Sequence, residues 1–179
     1  MEMTATAEIT MAGLLEAYPG AQRALFRKYH IGGCSSCGFR PDETLAGVCL
    51  RNGGLDPDEV LENVRTAHEQ DERMWLSPAE LKELLDRGAD GLFDIRTREE
   101  FEAVHIAGSR HFNQQLMQET LSTWPKDRRL LLLDHNGSRS LDAAAYFSGH
   151  GFPNVKCLRG GIDAWSVEID PSLPRYTLE

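Results

Sequence analysis

The sequence predicts an α/β domain with a central parallel sheet flanked by helices, preceded by a small all-α domain. Three observations carry this reading. From Met74 onward, short apolar runs alternate with capped helical patterns, the mark of parallel strands joined by crossover helices. One run, "RLLLLD" at 129–134, is apolar without alternation, as a strand buried on both faces must be. Residues 1–70 show helical patterns around a C-x-x-C pair. The expected division is 1–70, a helical C-x-x-C domain, and 71–179, the α/β domain.

In the first part, "TMAGLLEAYPG" predicts a helix from Thr10, stopped by Pro19-Gly20. "AQRALFRKYHIGG" predicts a second, with Leu25 and Phe26 inward and Gly32-Gly33 as terminators. "DETLAGVCLRNGG" predicts a third, with Leu45, Val48 and Cys49 on one side. Asp56, Pro57 and Glu59 supply an N-cap, a first-turn proline and an acid for a fourth, expected to run to Glu69. The charged stretch "TAHEQDERM", 66–74, is expected to be the linker.

In the second part, Ser77, Pro78 and Glu80 cap "SPAELKELLDRG", a helix ending at Gly88. "GLFDIR" reads as a strand, and Thr97 with Glu100 caps the helix that follows. "SRHFN" reads as a strand and "QQLMQETLSTW" as a helix. After "RLLLLD" come the helix "RSLDAAAYFSGHG" and a last strand, "NVKCLRGG".

Composition narrows the function classes. Hydrophobic residues make up 41% and charged residues 26%, as in a globular chain. No apolar run approaches the roughly 20 residues of a membrane span, and the N-terminus lacks a signal-peptide pattern. The cytoplasm is the expected location. The formal charge is −9, with 12 acidic and 6 basic side chains in residues 1–72 and 16 and 13 in residues 73–179. Two acidic halves argue against nucleic-acid binding through a broad basic face.

The chemistry-bearing stretch is "LLLLDHNGSRS", 130–140. Strand, glycine-containing turn and helix together form an anion cradle of backbone N–H groups. Yet the loop opens with Asp134. The loop candidates are Asp134, His135, Asn136, Gly137, Ser138 and Arg139. Asp134 reads as a built-in anion that fills the cradle. As a nucleophile it would need a second acid, a metal or phosphate-holding groups, and nothing adjacent in sequence supplies them. In the phosphatase signature, a cysteine, five residues and an arginine, the cysteine's place counted back from Arg139 is held by Leu133. Arg139 is expected to pair with Asp94. His135 reads as exposed or hydrogen-bonded, and His105 and His111 as structural.

The segments "DIRTREEFEAVHIAGSRHFN" (94–113), "LLLLDHNGSRSLDAAAYFSGHGF" (130–152) and "NVKCLRGGIDAW" (154–165) resemble, in order and spacing, the rhodanese-like sulfurtransferase domain. The resemblance implies a small α/β fold. Active members of that family carry Cys-x-x-Gly-x-Arg in the loop, and the sulfur-carrying cysteine falls on Asp134. Val104 stands where a glycine is usual before His105-Ile106. The resemblance therefore implies a sulfurtransferase homologue with an inactive loop.

The stretch "YHIGGCSSCGFRPDETLAGVC" resembles a small helical cysteine-containing family of unassigned function associated with hybrid-cluster proteins. Three states of Cys34 and Cys37 stay open. A disulfide between them closes only a four-residue loop, worth about 2 kcal/mol, so reversible redox suits the pair better than structural bracing. Zinc would need a Cys₃His set from His30, Cys34, Cys37 and Cys49. An iron–sulfur cluster would need four thiolates and hence a homodimer sharing cysteines. Free thiols are the third state, beside the redox pair and a metal or cluster. Cys49 and Cys157 read as core. Two functions follow as expectations. One is a binding or regulatory module of sulfur or redox metabolism, meeting a protein partner or sulfur carrier. The other is a sulfurtransferase or thiol–disulfide oxidoreductase working through Cys34/Cys37.

Overall fold

The structure, a computed structural model, describes residues 6–32 and 38–177. Cys34 and Cys37 lie outside the described residues, so the readings placed on them are carried by sequence. The chain divides into two compact units, Met1–Glu72 and Arg73–Glu179.

The first unit is built from α1 (Met11–Ala17), α2 (Ala21–Tyr29), α3 (Leu45–Arg51) and α4 (Pro57–Glu72). Thr10 caps α1 by accepting from the Gly13 N–H at 3.2 Å, and Thr44 caps α3 by accepting from Gly47 at 3.1 Å. The two caps also form a short antiparallel bridge. Met11, Leu14, Leu25, Leu45, Val48 and Cys49 are fully buried and form the centre of the core.

Three expectations are corrected here. Phe26 does not face inward: it is 48% exposed, while Leu25 is buried completely. Consecutive helical residues point about 100° apart, and the core takes one of the two. Residues 66–72 are not a linker but the last turns of α4. Tyr18 packs edge-on against His68 at 5.3 Å, and Arg23 pairs with Asp71. Gly20 leaves room for that carboxylate, since a Cβ there would sit 2.2 Å from Asp71 Oδ2. Finally, the helix expected over "DETLAGVCLRNGG" begins only at Leu45, with turns before it and Thr44 as its cap.

The second unit contains a five-stranded, fully parallel sheet in the order β1-β5-β4-β2-β3. Its elements are β1 (Trp75–Leu76), α5 (Pro78–Asp86), β2 (Leu92–Asp94), α6 (Arg98–Ala103), β3 (Arg110–His111), α7 (Gln114–Thr123), β4 (Leu130–Leu133), α8 (Ser138–Gly149), β5 (Val155–Leu158) and α9 (Gly161–Glu168). Both capping boxes form, Ser77 with Glu80 and Thr97 with Glu100. All four residues of β4 are buried. Leu130 and Leu132 pack with Phe93, Leu116 and Phe147 on one face, under α7 and α8. Leu131 and Leu133 pack with Leu81, Ile162 and Trp165 on the other, under α5 and α9. The chain leaving β4 thus turns to one face, and the chain leaving its neighbour β2 returns to the opposite face through Val104 and Ile106. Such a reversal opens a crevice at the carboxyl ends of two adjacent parallel strands, where ligands of open α/β sheets bind.

Candidate functional site

The crevice is floored by the loop that follows β4. Asp134 is 1% exposed, and its carboxylate turns back into its own loop. Oδ1 accepts from the Gly137 N–H at 2.7 Å and from the Ser140 hydroxyl at 3.0 Å; Oδ2 accepts from the Arg139 N–H at 2.8 Å. Gly137 stands at the N-cap of α8 and brings no side-chain acceptor, so Asp134 satisfies the helix's orphan amides instead. The carboxylate occupies the anion cradle, with both oxygens committed. Asn136 closes a second turn, its Oδ1 accepting from the N–H and hydroxyl of Ser138 at 3.1 and 2.7 Å.

The loop backbone is gripped from the other side by α9. The Asp134 carbonyl accepts from Ile162 N–H at 2.9 Å, and the His135 carbonyl accepts from Asp163 N–H at 3.1 Å. The approach is close enough to require glycine. A Cβ on Gly161 would lie 2.4 Å from the His135 carbonyl oxygen, and φ there is +60°.

Arg139 does not reach Asp94. Its side chain is exposed, and no side-chain partner for it is found among the described residues. Asp94 instead pairs with Arg96, two residues on, and both side chains are fully buried. Arg96 Nε and Nη2 reach the two Asp94 oxygens at 2.9 and 2.6 Å, Nη2 also donates to the Val104 carbonyl at 2.6 Å, and Nη1 donates to the Tyr176 hydroxyl at 2.7 Å. The guanidinium's charge and fork are thereby spent inside the protein. A partner two residues away wins over Arg139 because it turns into the same strand end.

Tyr176 ties this buried pair to the loop. Its hydroxyl donates to Glu100 at 2.7 Å, and its ring lies 4.5 Å from that of His135, tilted by 48°. His135 is half-buried, and its Nδ1 is enclosed without a hydrogen-bond partner among the described residues. Beside it, Arg175 grips Asp163 through two hydrogen bonds of 2.7 and 2.9 Å. The bond from Arg175, outweighing partial burial, holds the Asp163 carboxyl below its usual range. His135, Asp163, Arg175, Tyr176 and Thr177 line an open cleft of about 450 Å³. Arg175 and Tyr176 escaped the sequence reading, because no spacing links them to partners as remote as Arg96.

His105 and His111 are held by the backbone. His105 Nδ1 is 2.9 Å from the Phe101 carbonyl, and His111 Nε2 is 2.9 Å from the Arg96 carbonyl. Cys49 and Cys157 carry thiols rather than disulfide sulfurs and are fully buried, and the Cys157 thiol lies 3.6 Å from the Met74 carbonyl. Burial, with the charge of Asp56 as the lesser cause, pushes the Cys49 thiol up. His30 closes α2 in the left-handed conformation and is exposed. Among the described residues no cluster of three or more His, Cys, Asp or Glu side chains is placed to hold a metal. No helix among them is long and apolar enough to cross a membrane.

Residues 77–168 match the family described as the rhodanese-like domain. Over 104 residues the chain is 35% identical to the probable adenylyltransferase/sulfurtransferase MoeZ of Mycobacterium tuberculosis, covering 56% of this chain and 26% of that one. Over 90 residues it is 33% identical to the thiosulfate sulfurtransferase GlpE of Pseudomonas aeruginosa, covering 50% of this chain and 81% of that one. Among solved structures, reduced CoADR-RHD of Bacillus anthracis aligns with a TM-score of 0.51 at 16% identity, covering 75% of this chain and 25% of the other.

Proposed function

The chain belongs to the rhodanese-like family through residues 77–168, and from that premise we propose that its rhodanese-like domain, catalytically silent at loop 134–139, acts as a binding or regulatory module of sulfur or redox metabolism. One observation carries the proposal: the Asp134 carboxylate stands in the anion cradle with both oxygens hydrogen-bonded. In this reading Asp134 takes the position of the family's sulfur-carrying cysteine. A carboxylate cannot hold a persulfide, and a cradle already filled by a tethered anion does not stabilise an incoming one. Residues 1–70 form the helical C-x-x-C domain beside it, related to the family associated with hybrid-cluster proteins. The partner is a protein or a sulfur carrier, and the protein works in the cytoplasm.

A second reading follows from the C-x-x-C pair together with relatives named as sulfurtransferases. Here Cys34 and Cys37 carry sulfur or exchange disulfides, and the rhodanese-like domain docks the partner. Sulfur transfer from thiosulfate to cyanide separates the two. The first reading expects no turnover from the wild type. Turnover that vanishes in Cys34→Ser/Cys37→Ser supports the second, and turnover that survives in that variant overturns the silent loop.

A further inference from the structure

The sequence holds two Asn-Gly pairs, Asn52-Gly53 and Asn136-Gly137. An asparagine before glycine is prone to attack by its own main chain. The glycine nitrogen gives its proton to water and bonds to the asparagine Cγ, and the missing glycine Cβ leaves the approach clear. The Cγ–Nδ2 bond breaks, and ammonia leaves with a proton taken back from water. A second water opens the cyclic imide at either carbonyl. Asparagine and water thus become aspartate or isoaspartate and ammonia, with no oxidant or reductant. The step needs a glycine N–H that solvent can deprotonate and a backbone with room to turn.

The two pairs sit in opposite surroundings. Gly137 is buried, and its N–H donates to Asp134 Oδ1 at 2.7 Å. That bond occupies the proton, and the carboxylate opposes negative charge on the nitrogen. A Cβ on Gly137 would lie 3.1 Å from the Gly160 nitrogen and 3.2 Å from the Trp75 ring, so the backbone has no room to turn. The Asn136 side chain is fixed as well, its Oδ1 taken by the N–H and hydroxyl of Ser138. Gly53 is exposed, and a Cβ there would meet nothing within 4 Å. Gly54 N–H donates to the Leu50 carbonyl and Leu55 N–H to that of Cys49, but among the described residues nothing accepts from the Gly53 N–H. One neutral bond restrains the Asn52 side chain, from Nδ2 to the Val48 carbonyl at 2.8 Å.

We propose that Asn52 is a modification site, converted to aspartate or isoaspartate by attack of the Gly53 nitrogen, while the fold shields Asn136 from the same reaction. Conversion acts on α3. Asn52 is the C-cap of that helix, and its bond to the Val48 carbonyl is lost when Nδ2 leaves. A carboxylate then stands beside the last carbonyls of the helix, where negative charge is unfavourable. Isoaspartate also adds a methylene to the main chain at the turn out of α3. Leu45, Val48 and Cys49 of α3 belong to the core of the first unit, so the modification loosens the end of an element that the core uses.

The test incubates the full-length wild type in neutral buffer at physiological temperature, made up in heavy-oxygen water. Peptide mapping that separates aspartate from isoaspartate follows both pairs. A parallel sample in denaturing urea supplies the rate of each pair in the unfolded chain. The folded-to-unfolded rate ratio is expected to be on the order of tenfold or more higher at Asn52 than at Asn136, because reaction at Asn136 waits for local opening. Both products at Asn52 are expected to carry heavy oxygen. Equal ratios at the two pairs overturn the proposal, as does an acidic charge variant that accumulates at the wild-type rate in Asn52→Gln. The converted wild-type protein, separated by ion exchange, is expected to show faster amide exchange in the peptide covering 45–55 than fresh protein. Unchanged exchange there overturns the effect on α3.

Discussion

Oδ2 of Asp134 accepts a 2.8 Å hydrogen bond from the backbone N–H of Arg139, while Oδ1 takes the Gly137 N–H and the Ser140 hydroxyl. One side chain thus caps α8 from outside the helix and fills the loop's anion cradle. The same three hydrogen bonds hold the loop together.

Asp134→Asn tests that dual role. The amide group must set an NH₂ against donors that an oxygen now receives. A buried donor left unsatisfied costs about 1–3 kcal/mol. The urea midpoint is expected to fall accordingly with an unchanged slope. A midpoint equal to wild type means that the three hydrogen bonds contribute nothing net.

Gly161→Ala is expected to be costlier than Gly108→Ala. Both glycines have positive φ, +60° and +82°, but a Cβ at 108 meets nothing within 4 Å, whereas at 161 it strikes the His135 carbonyl oxygen at 2.4 Å. Backbone strain alone costs about 1 kcal/mol at position 108. Strain plus overlap with fixed backbone costs roughly 3 kcal/mol or more at position 161. Equal thermal shifts for the two variants would refute the close packing of α9 on the loop.

The Tyr176 anchor sets a pH window. Burial, then the hydrogen bond to Glu100, raises the Tyr176 phenol above its ordinary 10.0. Burial pushes the Glu100 carboxyl up, but hydrogen bonds from Tyr176 and Thr97 outweigh it and hold Glu100 below its ordinary 4.5. A raised phenol contributes stability that is present below 10.0 and lost as pH rises through the folded value. A lowered carboxyl contributes stability that is present above 4.5 and lost as pH falls through the folded value. The stability difference between wild type and Tyr176→Phe is therefore expected to be largest between pH 4.5 and 10.0 and to shrink on both sides. Urea titrations across pH measure it, and a difference independent of pH counts against the hydroxyl's role.

Alkylation with peptide mapping sorts the cysteines. Cys49 and Cys157 have no exposed surface, and a buried thiol labels at the rate of local opening. Cys34 and Cys37 are expected to label faster. Protection of that pair removed by a reductant points to a disulfide, and protection removed by a chelator points to metal. Uniformly slow labelling of all four in reduced, metal-free protein removes the case for thiol chemistry.

Much of the fold is local and was readable from the sequence. Capping boxes at Ser77 and Thr97 arise from side chains three residues apart. The four-leucine run of β4 states its own burial, and the loop after it is recognisable by its strand–glycine–helix pattern. Helix and strand order follows from periodicity, which needs several residues to show. The two-residue strand Trp75–Leu76 has too few, and it exists because it pairs with Cys157 and Leu158 on β5. Which neighbour takes the buried face, Leu25 or Phe26, was settled by the core. The partner of Asp94 is Arg96 rather than Arg139 because burial selects the guanidinium that turns into the strand end. The tie from Tyr176 to Arg96, Glu100 and His135 joins residues remote in sequence. Composition, capping and periodicity are properties of neighbouring residues, so the sequence alone determined them. Charge partners, strand edges and the cover over the loop are settled by which distant groups share one desolvated volume, and only the tertiary structure decided those.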